Sequence, residues 1–273
     1  MVAGVDAASA NQMQQLLVAD NLVGGVLGAA SIFPYLGSGG SGNTISISQV
    51  PSPASWPQFA AAGLVNAATF QQRALAPGSL VSLFGLNLSA ATVQFDGISA
   101  PILFASSSQL NLQVPWELQG KSSSWVTATA NSVISLPQPA PVGLTDPGIF
   151  SLGAPESGQG AIVNLAGIVV DANAPAHAGD YLEIYATGLG AVTNTPQTGA
   201  IALVTPLSYL IGNATVTIGG VAAPVIFAGL APGYVGLYQV NAQVPPGVAA
   251  GDAVPVILST GAIASNTVTI SVR

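Results

Sequence analysis

The chain contains an internal repeat, and that constrains its fold more than any other feature. Pro77-Gly78-Ser79-Leu80-Val81-Ser82-Leu83-Phe84-Gly85-Leu86 is followed by Ala91-Thr92-Val93-Gln94-Phe95-Asp96-Gly97-Ile98-Ser99-Ala100-Pro101-Ile102-Leu103-Phe104-Ala105 and then by Gln109-Leu110-Asn111-Leu112-Gln113-Val114-Pro115. Further on, Ala178-Gly179-Asp180-Tyr181-Leu182-Glu183-Ile184-Tyr185-Ala186-Thr187-Gly188-Leu189-Gly190 leads to Ala214-Thr215-Val216-Thr217-Ile218-Gly219-Gly220-Val221-Ala222-Ala223-Pro224-Val225-Ile226-Phe227-Ala228. Tyr238-Gln239-Val240-Asn241-Ala242-Gln243-Val244-Pro245 completes the second copy. One structural unit is therefore used twice.

Each copy alternates apolar and polar residues with the two-residue period of a half-buried strand. Asp96-Gly97 and Gly219-Gly220 fall where a two-residue hairpin turn is needed. Pro101 and Pro224 sit near the start of a returning strand, where a missing N–H is tolerated. A further strand pair closes each copy, around Trp125–Ile134 and Val254–Val272. Strands recurring every roughly 8 to 12 residues, without a long helix between them, predict antiparallel sandwiches. The expected inward positions are Val81, Leu83, Val93, Phe95, Leu103, Leu112 and Val114. Their counterparts are Leu182, Ile184, Val216, Ile218, Ile226, Val240 and Ala242. The expected fold class is all-β: two tandem antiparallel β-sandwiches, over 57–142 and 143–273, preceded by a short helical and extended segment over 1–56.

That N-terminal segment differs from the rest. Ser9-Ala10-Asn11-Gln12 fits a capping box, and Met13, Leu16, Leu17 and Val23 follow at near-helical spacing. Gly24-Gly25 would stop the helix. The apolar run Leu22–Phe33 is interrupted by glycines and is too short to span a bilayer. No Lys or Arg precedes it, so it does not read as a secretory signal either. A Gly/Ser tether over Gly37–Gly42 follows, then Thr44–Val50 in strict alternation, closed by Pro51 and Pro53.

Charge narrows the partners. Only 5% of the 273 residues are charged, with 3 Lys and Arg against 10 Asp and Glu, for a net charge of −7. A chain without a basic patch cannot release counterions from a phosphate backbone, which excludes nucleic acid, and it has no attraction for anionic membranes. There are no cysteines, hence no disulfides or thiolate metal sites. So sparsely charged a surface expects cover from neighbouring copies; a monomer with an uncharged polar exterior is the alternative.

Few residues offer chemistry. His177 is the only histidine, and no nucleophile-elbow serine accompanies it and Asp180 or Glu183. Asp171, Asn173, Asp180 and Glu183 carry oxygen donors, but their spacing matches turn chemistry rather than a calcium loop. Lys121 lies near Glu117 in a loop-like context. Trp56, Trp116, Trp125, Tyr234 and Tyr238 read either as core plugs or as a carbohydrate-stacking platform. Asn87-Leu88-Ser89 and Asn213-Ala214-Thr215 have the form of glycosylation sequons. No enzyme activity, cofactor or metal is expected.

The order Pro-Gly-Ser…Phe-Gly-Leu-Asn-Leu, Val-x-(Phe/Ile)-(Asp/Gly)-Gly-x-x-Ala-Pro and Gln-(Leu/Val)-Asn-x-Gln-Val-Pro resembles immunoglobulin-like IPT/TIG modules. Residues 60–273 resemble more closely an uncharacterised C-terminal domain family of secreted acidobacterial proteins. The matching stretches are Val65-Asn66-Ala67-Ala68, Pro147-Gly148-Ile149-Phe150, Gly158-Gln159-Gly160-Ala161-Ile162-Val163-Asn164, Tyr185-Ala186-Thr187-Gly188-Leu189-Gly190 and Gly236-Leu237-Tyr238-Gln239-Val240-Asn241. The resemblance implies an immunoglobulin-like fold and secretion, and brings no catalytic residues. The expectation is an extracellular or cell-surface homopolymer, a fibre, filament or surface layer whose partner is itself, grown by donor strands. The alternative is a secreted adhesive or carbohydrate-binding module making a glycan contact. The expected assembly interface is Leu22, Val23, Val26, Leu27, Ile32, Phe33, Ile45, Ile47 and Val50.

Overall fold

A computed structural model describes residues 56–153 and 158–273. The expected N-terminal helix, the tether, the Thr44–Val50 strand and all nine interface residues just named lie outside the described residues.

The first sandwich contains β1 (Leu64–Asn66), β2 (Leu80–Phe84), β3 (Thr92–Phe95), β4 (Ile98–Ala100) and β5 (Ile102–Ala105), followed by β6 (Gln109–Gln113), β7 (Ser123–Ala130), β8 (Val133–Ile134) and β9 (Gln138–Pro141). One sheet runs β1-β2-β6-β5; the other runs β4-β3-β7-β8, with β9 also on β7. The second sandwich contains β10 (Gly148–Ile149), β11 (Ile162–Asn164), β12 (Tyr181–Thr187), β13 (Ala214–Ile218) and β14 (Val221–Ala223). After these come β15 (Val225–Leu230), β16 (Tyr238–Gln243), β17 (Gly251–Thr260), β18 (Ile263–Ala264) and β19 (Val268–Val272). Its sheets are β10-β12-β16-β15, with β11 on β12, and β14-β13-β17-β18, with β19 on β17. Every strand pairing is antiparallel. These are two immunoglobulin-like sandwiches in tandem.

The repeat holds at the level of register. Val93 faces Ala100 and Phe95 faces Ile98 in the first hairpin; Val216 faces Ala223 and Ile218 faces Val221 in the second. Both turns put two consecutive residues at positive φ (Asp96 49°, Gly97 83°; Gly219 59°, Gly220 79°), the backbone of a tight I′ hairpin. Side-chain bonds repeat as well. Gln109 Nε2 donates to Asn111 Oδ1 at 2.8 Å, and Gln239 Nε2 to Asn241 Oδ1 at 2.8 Å. Ser135 Oγ accepts the Ala128 amide at 2.9 Å, as Ser265 Oγ accepts that of Leu258 at 3.1 Å.

Twelve of the fourteen expected inward positions are buried. Leu103 and Ile226 are not: they are 49% and 61% exposed. The reason is the same in both sandwiches. The register shifts between Ile102 and Phe104 and between Val225 and Phe227. Each bulge inserts one unpaired residue, so simple alternation fails there and that residue is turned outward.

Candidate functional site

Four of the five stretches singled out from sequence meet at one place, the joint between the two sandwiches, while the fifth, 158–164, bonds within the second sandwich. β1 ends at Asn66, which is 1% exposed. Its Oδ1 accepts the amides of Ala68 (2.8 Å) and Thr69 (3.1 Å), closing the turn that follows. Its Nδ2 donates to the Asp146 carbonyl (2.8 Å) and to Asp146 Oδ2 (3.1 Å), at the start of the second sandwich. Gly148 and Gly188 keep this joint close. A Cβ on Gly148 would lie 2.8 Å from Asn66 Oδ1, and one on Gly188 only 2.0 Å from the Asp146 carbonyl oxygen.

Further bonds cross the same joint. The Leu80 amide donates to Thr187 Oγ1 at 2.7 Å. The Trp116 amide donates to Thr198 Oγ1 (3.0 Å), whose hydroxyl donates to Glu117 Oε2 (2.6 Å), and the Gly199 amide donates to Gln113 Oε1 (2.8 Å). Arg73 Nη1 reaches the Ala264 carbonyl at 3.2 Å. Trp116 belongs to the chain of the first sandwich, yet its buried side chain joins the apolar cluster that forms the core of the second. The Tyr238 hydroxyl donates to the Gly190 carbonyl at 2.5 Å, and full burial pushes its ionisation far up.

Burial also raises the Asp146 carboxyl above its ordinary range; Asn66 and, more weakly, Arg73 pull the other way. Its Oδ1 has no hydrogen-bond partner among the described residues, and neither has Trp116 Nε1. Beside the joint lies a cleft of about 410 Å³, lined among others by Trp116, Lys121, Val142, Leu144, Leu189 and Ile211. The cleft is mainly apolar, and its cation is engaged: Lys121 Nζ pairs with Asp96 Oδ2 at 2.7 Å, not with Glu117. That pair, together with the Trp125 amide, holds Asp96 below the usual carboxylate range.

The other residues singled out from sequence lie apart from this joint. Asp171 Oδ1 caps the amides of Asn173 and Ala174, and Asp180 Oδ2 caps that of His177 while standing 3.6 Å from its ring. Glu183 accepts from the Tyr185 hydroxyl. Among the described residues no three His, Asp or Glu side chains come together. The five aromatics do not form a common platform: Trp56, Trp116 and Tyr238 are buried, whereas Trp125 and Tyr234 are exposed. Sequence reasoning passed over Asn66 and Asp146. The only signal was that Asn66 lies in one matching stretch and Asp146 immediately precedes another.

No protein-family model matches the sequence, and no curated protein matches it. Among solved structures the chain is similar to the I9–I11 tandem of titin (13% identity, 74% of this chain, 62% of that one, TM-score 0.22). It is likewise similar to SGBP-B of the Bacteroides ovatus mixed-linkage glucan utilization locus, solved with a mixed-linkage heptasaccharide (13%, 74%, 44%, TM-score 0.33). The N-terminal eight Ig domains of DSCAM form a third (13%, 74%, 23%, TM-score 0.21). This chain spans less than two thirds of each of these three. The assignment to the immunoglobulin-like class rests on the sheet topology.

Proposed function

We propose that this chain is a non-enzymatic extracellular structural subunit that assembles with copies of itself, its N-terminal segment supplying the joining strand. The observation that carries this reading is the surface. Among the described residues, exposed large apolar side chains outnumber charged ones, and they include Leu86, Leu144, Leu165, Val204, Ile211 and Ile226. A domain with so little charge and so much exposed apolar area is poorly protected against association and well suited to it. Asn66 and Thr187 tie the two sandwiches together, which suits a building element. The resemblance to a family of secreted acidobacterial proteins supports an extracellular location.

Electron microscopy and light scattering of the full chain, beside a chain lacking residues 1–50, test the proposal. The full chain is expected to form filaments or a lattice, and the shortened chain to stay folded and monomeric. A monodisperse full-length monomer at high concentration would sink the self-assembly reading. Normal polymerisation of the shortened chain would sink the role of the N-terminal segment.

The second reading, a secreted adhesive or carbohydrate-binding module, is favoured by the exposed rings of Trp125 and Tyr234. Glycan-array binding that Trp125→Ala abolishes would support it.

A further inference from the structure

We infer that the β5 edge of the first sandwich is the acceptor for the Thr44–Val50 strand of a second copy of this chain, an inference that rests on the assembly reading above.

The two sandwiches treat equivalent edges differently. β15 ends its sheet, but residues 188–213 fold back along it. Leu210 N donates to the Ala228 carbonyl at 2.8 Å, Leu230 N to that of Ser208 at 2.9 Å, and Tyr209 bridges to Gly229. The Tyr209 ring also meets Phe227 edge-on, with centroids 5.6 Å apart. In the first sandwich only residues 85–91 join the corresponding strands. Their amides reach the carbonyls of Ser107 and Ser108, past the end of β5. The strand Ile102–Ala105 therefore pairs with β6 alone among the described residues.

This edge is also apolar. The bulge leaves Leu103 exposed and Phe104 51% exposed, whereas the equivalent Phe227 is half-buried. From Gly97 to Trp116 the sequence holds no charged residue, so the edge lacks the charges that commonly deter strand addition. An extended segment with apolar residues on one face would pair its main chain with β5 and cover both side chains. Thr44–Val50, with Ile45 and Ile47 alternating with Thr and Ser, has that pattern.

Geometry favours a second copy over the chain's own strand. The chain enters the fold at Trp56, and Gln58 bridges antiparallel to Leu86, on the side of β2 opposite β6. From there to the outside of β5 is four strand spacings, about 19 Å. Val50 lies eight residues before Gln58, a reach of at most about 26–29 Å when fully extended. Most of that reach would be spent crossing the end of the sheet before the chain could turn to run along β5, with Pro51, Pro53 and Pro57 in the way. A strand donated by another molecule meets none of these limits.

The chain has no native cysteine, so single cysteines can report the contact. Full-length chains carrying one cysteine at a time from Thr44 to Val50, in a size-tagged copy, are mixed with Phe104→Cys or with the control Ile226→Cys and oxidised. The mixed disulfide at Phe104→Cys is expected to exceed that at Ile226→Cys by on the order of tenfold, because docking raises the local thiol concentration. In a parallel arm, Leu103→Lys with Phe104→Lys should stop polymerisation while Ile226→Lys leaves it intact. Equal crosslinking at both sites, or preference for Ile226→Cys, overturns β5 as acceptor while leaving assembly standing. So does normal polymerisation of the double lysine variant, or the absence of any crosslink from residues 44–50 in chains that polymerise. A wild-type chain that never polymerises overturns the assembly reading itself, and this inference with it.

Discussion

Asn66 Nδ2 donates to both the main-chain carbonyl and the carboxylate of Asp146, eighty positions away, and so ties the end of the first strand to the start of the second sandwich. Asn66 also closes its own turn through Oδ1, so a single side chain couples local and long-range structure. Removing it leaves buried donors and acceptors without partners, each costing about 1–3 kcal/mol. Asn66→Ala is expected to destabilise the protein by about 3 kcal/mol in urea unfolding. A loss below about 0.5 kcal/mol, the range of ordinary surface sites, would refute the role given to this residue.

Asp146 sets a pH dependence of definite sign. Burial raises its carboxyl above the ordinary value of 3.8. Its contribution to stability is therefore fully present below that value and is lost as the pH rises through the native one. Asp96 and Asp252 act oppositely. Hydrogen bonds from Lys121 and from Arg273 hold them below 3.8, so they stabilise above it and lose that effect as the pH falls further. Asp146→Asn, its carbonyl taking the Asn66 bond, should raise the melting temperature at neutral pH and flatten the profile between mildly acid and neutral conditions. Unchanged melting profiles across that range would contradict the burial argument.

Trp116 separates packing from polarity. Its ring is buried in the neighbouring sandwich's core while its Nε1 has no partner. Trp116→Ala should cost about 3–5 kcal/mol. Trp116→Phe keeps much of the ring and removes the unsatisfied donor, so it should cost less than about 1.5 kcal/mol. Equal losses for the two variants in chemical denaturation would show that the indole nitrogen matters in a way the joint does not explain.

The bulges make a contrast that simple alternation does not. Leu103 is half exposed and Leu83 fully buried, although both occupy apolar strand positions. Leu83→Ala should destabilise by about 2–5 kcal/mol, and Leu103→Ala by no more than about 0.5 kcal/mol. Thermal melts of the two variants suffice to compare them.

Ser132 carries positive φ (64°) in the turn between β7 and β8, where a glycine would fit better. Ser132→Gly relieves backbone strain of about 1–2 kcal/mol and loses part of it to the greater freedom of the unfolded chain. A net gain of about 0.5 kcal/mol is expected from unfolding midpoints; a loss would mean that the serine makes a compensating contact.

The sequence by itself determined the strands, their pairing as hairpins and most of the buried face. Val93, Phe95, Val216 and Ile218 could be read because alternation and Asp-Gly or Gly-Gly turns are local, depending on a few adjacent residues. Only the tertiary structure decided where that periodicity breaks, since the bulges at Leu103 and Ile226 follow from how each edge strand meets its neighbour. It alone decided that Asn66, Asp146, Trp116 and Gly188 form one joint, because no local pattern encodes which surfaces of two similar sandwiches meet. It decided too that residues 188–213 cover the edge of β15 while no other described strand pairs with the outer edge of β5. Two nearly identical strand motifs differ there only in the length of a connection elsewhere in the chain, and what that connection covers is settled by folding in three dimensions.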